Sequence, residues 1–310
     1  MPSFQTHTHG KLLLTAEYLV LDGALALALP TRLGQHLTVR EIETKKTGTI
    51  QWESLDEQGN PWFEALFQVA PLKILDSTDK TTAQRLVQIF QAIQQQKKTW
   101  QDLPALHIQT RLDFPRQWGL GTSSTLLAAL AQWQQVDPYQ LLWDTFGGSA
   151  YDIACANAQG PILYQLQAGK PIVQSCSFHP PFIDQLYLVY AGQKQDSREG
   201  IRRYKTQVSA SSSLVQEMTE LTSAILQAPN LPTFEQLIAK HESIISSALD
   251  FPTVQQLHFE DFWGQTKSLG AWGGDFMLAT SRKTKAETMT YFRGKGFSTI
   301  FSFSDWVMGY

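Results

Sequence analysis

Cysteine is nearly missing from this 310-residue chain, and its two examples, Cys155 and Cys176, sit at no metal-ligand spacing. Two cysteines build no disulfide framework, so reduced thiols in a cytoplasmic protein are the simplest account. Charge is sparse as well: Asp, Glu, Lys and Arg make up 17% of the residues, with a net charge of −3 and a pI of about 6.2. Without a basic excess, nucleic acid is excluded as the main partner. The densest positive cluster, Arg198, Arg202, Arg203 and Lys205, reads either as the solvated face of a helix or as a phosphate-reading patch. Long apolar runs are also lacking. None approaches the ~18 residues of a membrane helix, and the run 19–30 is broken at Asp22-Gly23. Residues 1–10 lack the basic-then-apolar pattern of a signal peptide. The expectation is a cytoplasmic protein with no nucleic-acid and no membrane partner; nothing in the sequence sets an oligomeric state.

What is present is a hydrophobic content of 43%, enough for one large or two medium domains with real cores. Buried or half-buried strands are expected over 11–14, 37–42 and 105–112, with an apolar run over 24–29 closed by Pro30. A hairpin is expected around 56–61. Leu86, Ile89, Phe90 and Ile93 fall at helical spacing inside 82–97. A domain boundary is placed at the Pro180-Pro181 pair, giving domains 1–180 and 181–310. Beyond it, helices are expected over 202–226, 233–248 (capped by Thr233), 253–267 and 283–293, with strands over 185–190, 276–279 and 298–303. His7 and His9 share a face if their segment is a strand. That pair is compatible with a metal site or with a polar strand end, and no third ligand lies nearby in the sequence.

The most informative stretch is Gly119-Leu120-Gly121-Thr122-Ser123-Ser124, which runs into Thr125-Leu126-Leu127-Ala128-Ala129-Leu130 at helical spacing. Two glycines leave backbone N–H groups uncovered, and three hydroxyls follow. A helix that opens on such a loop offers unpaired N–H groups and the positive end of its dipole, a ready site for phosphate. The same residues also make an ordinary N-cap. The position of the loop between a strand and a helix favours the phosphate reading.

Three segments, in order, carry a resemblance. Gly10-Lys11-Leu12-Leu13-Leu14-Thr15-Ala16-Glu17-Tyr18 is similar to the N-terminal strand and turn of the GHMP kinases, the superfamily of galactokinase, homoserine kinase, mevalonate kinase and phosphomevalonate kinase. The loop at 119–124 is similar to that family's Gly-Leu-Gly-Ser-Ser-Ala signature. Gly270-Ala271-Trp272-Gly273-Gly274-Asp275 is similar to its C-terminal glycine-rich motif. With Tyr151-Asp152-Ile153-Ala154 between the second and third, the resemblance spans nearly the whole chain. The Glu17-to-Asp22 run and the Gly-Gly-Asp ending look closer to phosphomevalonate kinase, and a bacterial subgroup with a Gly-Tyr-Asp-Ile-Ala signature is closer still.

The resemblance implies an α+β fold: an N-terminal domain like the second domain of ribosomal protein S5, a ferredoxin-like C-terminal domain, and an active site in the cleft between them. It implies ATP and Mg²⁺ as cofactors and a small-molecule acceptor. Gly119, Leu120, Gly121, Thr122, Ser123 and Ser124 would wrap the nucleotide phosphates, with the Ser123 hydroxyl on the metal. Gly270, Gly273 and Gly274 would let a second loop approach the phosphates or close the site. Asp152 matches the aspartate beside the acceptor hydroxyl, and Lys11 a lysine that favours the developing alkoxide. Glu17 matches a position near the site and is equally an ordinary turn carboxylate. Four departures stand out. Trp272 replaces a small residue, Thr122-Ser123-Ser124-Thr125 replaces Ser-Ser-Ala-Ala, and Ala150 replaces the glycine before Tyr151. Leu141 falls where mevalonate kinase carries a metal-binding glutamate. A diphosphomevalonate decarboxylase-like enzyme and a non-catalytic nucleotide or ligand binder on the same fold are the alternatives.

Overall fold

The computed structural model describes residues 3–43, 47–192, 197–207, 211–270 and 275–309, apart from the side chains of residues 101, 197–199, 203 and 207. Trp272, Gly273 and Gly274 of the second glycine loop, and the side chains of Arg198 and Arg203, therefore lie outside the described residues. The fold is α+β. The chain divides into two compact units whose segments alternate: 1–10, 33–116 and 121–157 form the first, and 11–32, 117–120 and 158–310 the second. Among the described residues no helix is long and apolar enough to cross a membrane.

The first unit is built from β1 (Phe4–Leu13), β2 (Ala26–Glu41), β3 (Thr49–Leu55), β4 (Pro61–Gln68), β5 (Lys73–Ser77), α1 (Lys80–Gln96), β6 (Leu106–Leu112), α2 (Thr122–Gln134), α3 (Pro138–Trp143) and α4 (Tyr151–Asn157); β1 and β2 run on into the second unit. Its strands pair in the order β5-β4-β3-β6-β2, with β1 on β2. Alternation decides the face of β6: Leu106, Ile108, Thr110 and Leu112 are buried, while His107, Gln109 and Arg111 point the other way. The expected helical stripe of Leu86, Ile89, Phe90 and Ile93 is buried on α1, which begins at Asp79, whose carboxylate accepts the Thr82 N–H at 2.6 Å. The stripe packs with Trp52, Phe67, Trp100, Leu127 and Ile153 into one core. Each such side chain contributes about 1.5–3 kcal/mol on burial.

The second unit holds β7 (Ile162–Gln167), β8 (Lys170–Ser175), β9 (Leu186–Tyr190), α5 (Ser197–Gln207), α6 (Ser212–Leu226), α7 (Leu231–Leu249), α8 (Val254–His258), β10 (Thr266–Leu269), β11 (Phe276–Thr280), α9 (Lys285–Gly294), β12 (Ile300–Ser302) and α10 (Phe303–Trp306). An antiparallel sheet runs β10-β11-β9-β12. Every residue of β10 and β11 is buried, so these strands read as continuous runs rather than alternating ones. β7 pairs with the start of β2 and with β8.

Several expected boundaries move. Pro30 does not close a strand. It lies inside the single long β2, between residues 26–28, which pair with β7, and residues 35–41, which pair with β6, so its missing N–H removes neither ladder. The helix expected over 202–226 is two helices, α5 and α6. α7 is capped by Asn230, whose side chain accepts the Thr233 N–H at 2.9 Å, and not by Thr233. The helix expected over 253–267 stops at His258, because β10 pairs with β11 instead. Gly264 enables that pairing: a Cβ there would stand 2.0 Å from the Thr280 carbonyl oxygen. The strand expected over 298–303 is only β12, since the chain turns into α10 at Phe303.

Candidate active site

In the first unit, α2 opens on Gly121, held at φ +92° in the left-handed region where glycine carries no steric penalty. No side chain caps α2, whereas α1, α3, α7, α8 and α9 each begin on a side-chain cap. Ser123 is exposed in this first turn and Ser124 is buried. The Ser124 hydroxyl donates to Oδ2 of Asp152, and the Ile153 N–H donates to Oδ1 at 3.1 Å. Asp152 thus stands in the first turn of α4 with its carboxylate oriented by two donors, one of them from the glycine-loop helix. The next residue, Thr125, fixes the root of α2. Its hydroxyl lies 2.7 Å from Gln35 Oε1, and its carbonyl accepts the Thr8 hydroxyl at 2.9 Å. Ala150, the departure from the glycine of the resembling signature, adopts φ +67°. The backbone there is left-handed, which explains why glycine suits the position.

Ser124, a hydroxyl where the resembling signature carries alanine, is the loop residue that bonds Asp152, whereas the motif aligns Ser123 with the family's metal-touching serine.

In the second unit, Lys11 meets the other half of the loop. Its ammonium donates to the Gly119 carbonyl at 2.7 Å, and its backbone N–H to the Leu120 carbonyl at 3.0 Å. Gly119 sits at φ +66°, and a Cβ there would stand 1.8 Å from Asp275 Oδ2. The buried Asp275 carboxylate therefore occupies the space beside Gly119 that any side chain would need. Gly270 (φ +80°) lies on the same side: a Cβ built on it would stand 3.9 Å from the Lys11 ammonium. Lys11, Gly119, Gly270 and Asp275 are thereby brought together from the first and third motifs and the loop. Trp118 anchors the loop entrance, its ring packing against Tyr190, Phe276, Phe301 and Trp306 at centroid distances of 5.3–6.0 Å.

Glu17 is not an open site carboxylate. It belongs to a cluster of four ionisable groups, each at most 1% exposed: Glu17, His241, Glu242 and Lys267. The Lys267 ammonium donates to Glu17 Oε1 and to the Ser268 carbonyl at 2.8 Å, and lies 3.7 Å from Glu242 Oε1. The Ser268 N–H donates to Glu242 Oε2 at 3.2 Å. Burial pushes Glu17 up, but the Lys267 ammonium outweighs it and holds the carboxyl below its usual range. Burial, aided by Lys267, pushes His241 down, so its ring is neutral. Its Nε2 accepts the Ala16 N–H at 2.9 Å, and the 3.1 Å approach of Glu17 Oε2 is consequently a contact and not an ion pair. Burial also pushes the Glu242 carboxyl up to about 8. One ion pair, Glu17–Lys267, and two neutral groups therefore tie β10, which leads into Gly270, to α7 and to the turn after β1.

A pH dependence follows from Glu242. The folded carboxyl keeps its proton to about pH 8, whereas the unfolded chain releases it near the ordinary 4.5. Folding binds a proton in that window, so this contribution is full below it and is lost as pH rises through it. The stability of Glu242→Gln relative to the parent is expected to grow steadily as pH rises from about 5 to about 8, read from urea midpoints. A difference flat with pH would mean that Glu242 is already ionised in the folded chain.

Of the basic cluster, Arg202 and Lys205 are exposed. Leu141 is fully buried in the first core, so the position expected of a second metal-binding acid is a packing position here. Asp144 ends α3 and accepts the Gln140 amide at 2.7 Å.

No protein-family model matches this sequence, and no curated protein sequence matches it. Solved structures do match. Mevalonate kinase of Methanococcus jannaschii aligns over 99% of this chain and 98% of its own, at 15% identity and a TM-score of 0.72. Phosphomevalonate kinase of Streptococcus pneumoniae, in complex with phosphomevalonate and AMPPNP, aligns over 96% of this chain and 99% of its own, at 14% identity and a TM-score of 0.71. Galactokinase of Lactococcus lactis, complexed with galactose, aligns over 98% and 92%, at 10% identity and a TM-score of 0.66. The chain has the fold of the GHMP kinases over essentially its whole length.

Proposed function

We propose that this chain is an ATP- and Mg²⁺-dependent kinase of a small-molecule alcohol or phosphate, most similar to the mevalonate and phosphomevalonate branch of the GHMP kinases and working in the cytoplasm. The finer division into an S5-like domain over 1–180 and a ferredoxin-like domain over 181–310 belongs to the same reading. The observation that carries it is Asp152, whose carboxylate is oriented by Ser124 from the first turn of α2, a helix that opens on a left-handed glycine without a side-chain cap.

The residues fit a nucleotide triphosphate and its cation. Gly119 and Gly121 are both left-handed, α2 presents an uncapped N-terminus, and the Ser123 hydroxyl is exposed beside it. Mg²⁺, when bound, would supply charge neutralisation, and a hydroxyl such as that of Ser123 suits so hard a cation. Gly119 to Ser124 would bind the phosphates, with Gly270, Gly273 and Gly274 as a second contact. As an acceptor hydroxyl oxygen bonds to the γ-phosphorus and ADP departs, Asp152 would take that hydroxyl's proton; an ionised phosphate acceptor carries none and would need only positioning and positive charge. Lys11, held on the Gly119 carbonyl, supplies fixed positive charge for the transferring group.

The test is ADP release measured over mevalonate, phosphomevalonate, diphosphomevalonate, homoserine and galactose, with carbon dioxide followed in parallel. Turnover on a mevalonate-branch acceptor without carbon dioxide is the expected result. Carbon dioxide release would identify the decarboxylase instead. An ATP-induced thermal shift with no ADP on any acceptor would identify a non-catalytic binder, and no shift at all would remove the nucleotide reading.

A further inference from the structure

The first unit holds a cluster that the kinase reading does not use. His7 on β1, His36 on β2 and Asp113, the residue after β6, are far apart in sequence and meet side by side. His7 Nε2 lies 2.9 Å from Asp113 Oδ2, and His36 Nε2 lies 3.0 Å from Oδ1 of the same carboxylate. The two imidazole rings are 4.5 Å apart between centroids. One ligand atom from each of the three residues lies within 4.8 Å of the others. An ion bonded to imidazole nitrogen and carboxylate oxygen at about 2.0–2.2 Å needs its ligands roughly 3.4 Å apart in a tetrahedral site. The three ligand atoms lie within 4.8 Å of one another, so closing on an ion draws the most distant of them together by up to about 1.4 Å.

The surroundings are built to hold this arrangement. Gly34 leaves the room that the His7 ring takes: a Cβ there would stand 2.7 Å from His7 Nε2 and 2.0 Å from the Thr8 carbonyl oxygen. The Gly34 N–H also donates to Asp113 Oδ2 at 3.2 Å, and its carbonyl accepts the Asp113 N–H at 3.0 Å. The carboxylate is therefore oriented by backbone, in the manner of an outer-shell partner at a metal site. The Arg111 guanidinium approaches Asp113 Oδ1 at 3.9 Å from an exposed position and is free to swing away. His9 adds a third imidazole edge-on to His7, with centroids 5.1 Å apart.

We propose that His7, His36 and Asp113 form a binding site for a divalent transition-metal ion of the zinc class. Two imidazoles and one carboxylate, on side chains that are partly exposed, match the donor set of three-ligand zinc centres. They do not suit Mg²⁺, which takes oxygen ligands. The site is therefore separate in chemistry from the cation of the phosphoryl-transfer reading and stands whether or not that reading does. A bound ion would link β1, β2 and the end of β6, six residues ahead of the glycine loop at Gly119.

The experiment uses the full chain, stripped with EDTA and freed of chelator, titrated with zinc chloride against a chromophoric chelator and, in parallel, with cobalt chloride. The expected result is one equivalent bound at micromolar or lower Kd, visible cobalt bands of a four-coordinate site, and a melting temperature raised by several degrees. His36→Ala should weaken zinc binding by at least about 10-fold, and Asp113→Asn should do the same. His258→Ala, at an exposed imidazole elsewhere, should leave it unchanged. Asp113 also holds Gly34, so His36→Ala, at a partly exposed ring, is the decisive variant if Asp113→Asn fails to fold. No binding at 100-fold molar excess of zinc, or binding that His36→Ala leaves intact, overturns the site.

Discussion

Asp152→Asn lowers kcat by about 10²–10⁴-fold on an alcohol acceptor identified by the ADP-release screen, while ATP affinity changes little. Asparagine keeps the shape of the side chain, and its Oδ1 still accepts the Ile153 N–H that aspartate accepts at 3.1 Å. Its amide can stand against the Ser124 hydroxyl, so the opening of α2 is not disturbed. What disappears is the group that takes the acceptor proton. The glycine-loop residues are untouched, so nucleotide binding, followed by thermal shift or calorimetry, stays close to that of the parent. The expected split is between turnover and binding, which loss of folded protein would not produce. Turnover equal to the parent's would take Asp152 out of the mechanism; loss of nucleotide binding would mean that it holds the loop and does no proton chemistry.

The features legible in the sequence were those set by local rules. The stripe on α1, the alternation of β6, the hairpin at 56–61 and the glycine loop ahead of α2 all follow from period, turn chemistry and spacing. The misplaced elements are those decided by distant partners. Residues 259–267 hold one glycine, Gly264, which alone does not rule out a helix, yet β10 forms because β11 offers a ladder to residues 266–269 and Gly264 lets the chain pass close to Thr280. Pro30 reads as punctuation, and only the two separate pairing stretches of β2 show why a strand tolerates it. Site residues divide in the same way. The motifs name Asp152, Lys11, Ser124 and Asp275 as residues but not the Ser124–Asp152 bond or the space beside Gly119 that Asp275 fills, and they leave out Lys267 and His241 altogether, because such contacts join positions 28 to 250 apart in the chain. The His7 cluster makes the point most directly. The sequence offered two histidines and no third ligand, and strand pairing brings in His36 and Asp113.

Lys267→Met destabilises the fold by about 3–5 kcal/mol, the cost typical of removing one partner from a buried ion pair. Methionine replaces the aliphatic stem of a side chain that is 0% exposed, so the packing change is small. The charge change is not. Glu17, 1% exposed, loses the ammonium that outweighs its burial, and the neutral His241 ring beside it is already accepting the Ala16 N–H. The carboxyl must then take up a proton or remain buried and unpaired, and each alternative costs stability near neutral pH. The paired variant Lys267→Met/Glu17→Gln is expected to recover most of the loss, because two neutral groups of similar volume replace the two charges together. Urea unfolding checks both, with midpoints compared at constant m. A single variant within about 1 kcal/mol of the parent would mean that the pair is not ionised in the folded chain. A double variant as unstable as the single would place the cost in packing and not in the stranded charge. The consequence for the site follows from where Lys267 stands, three residues ahead of Gly270 and bonded to the turn that follows Lys11. Because the double variant restores stability without the ion pair, it separates folding from positioning. If nucleotide affinity returns along with stability, the pair serves the fold alone; if affinity stays weak, Glu17 and Lys267 hold the approach to the second glycine loop.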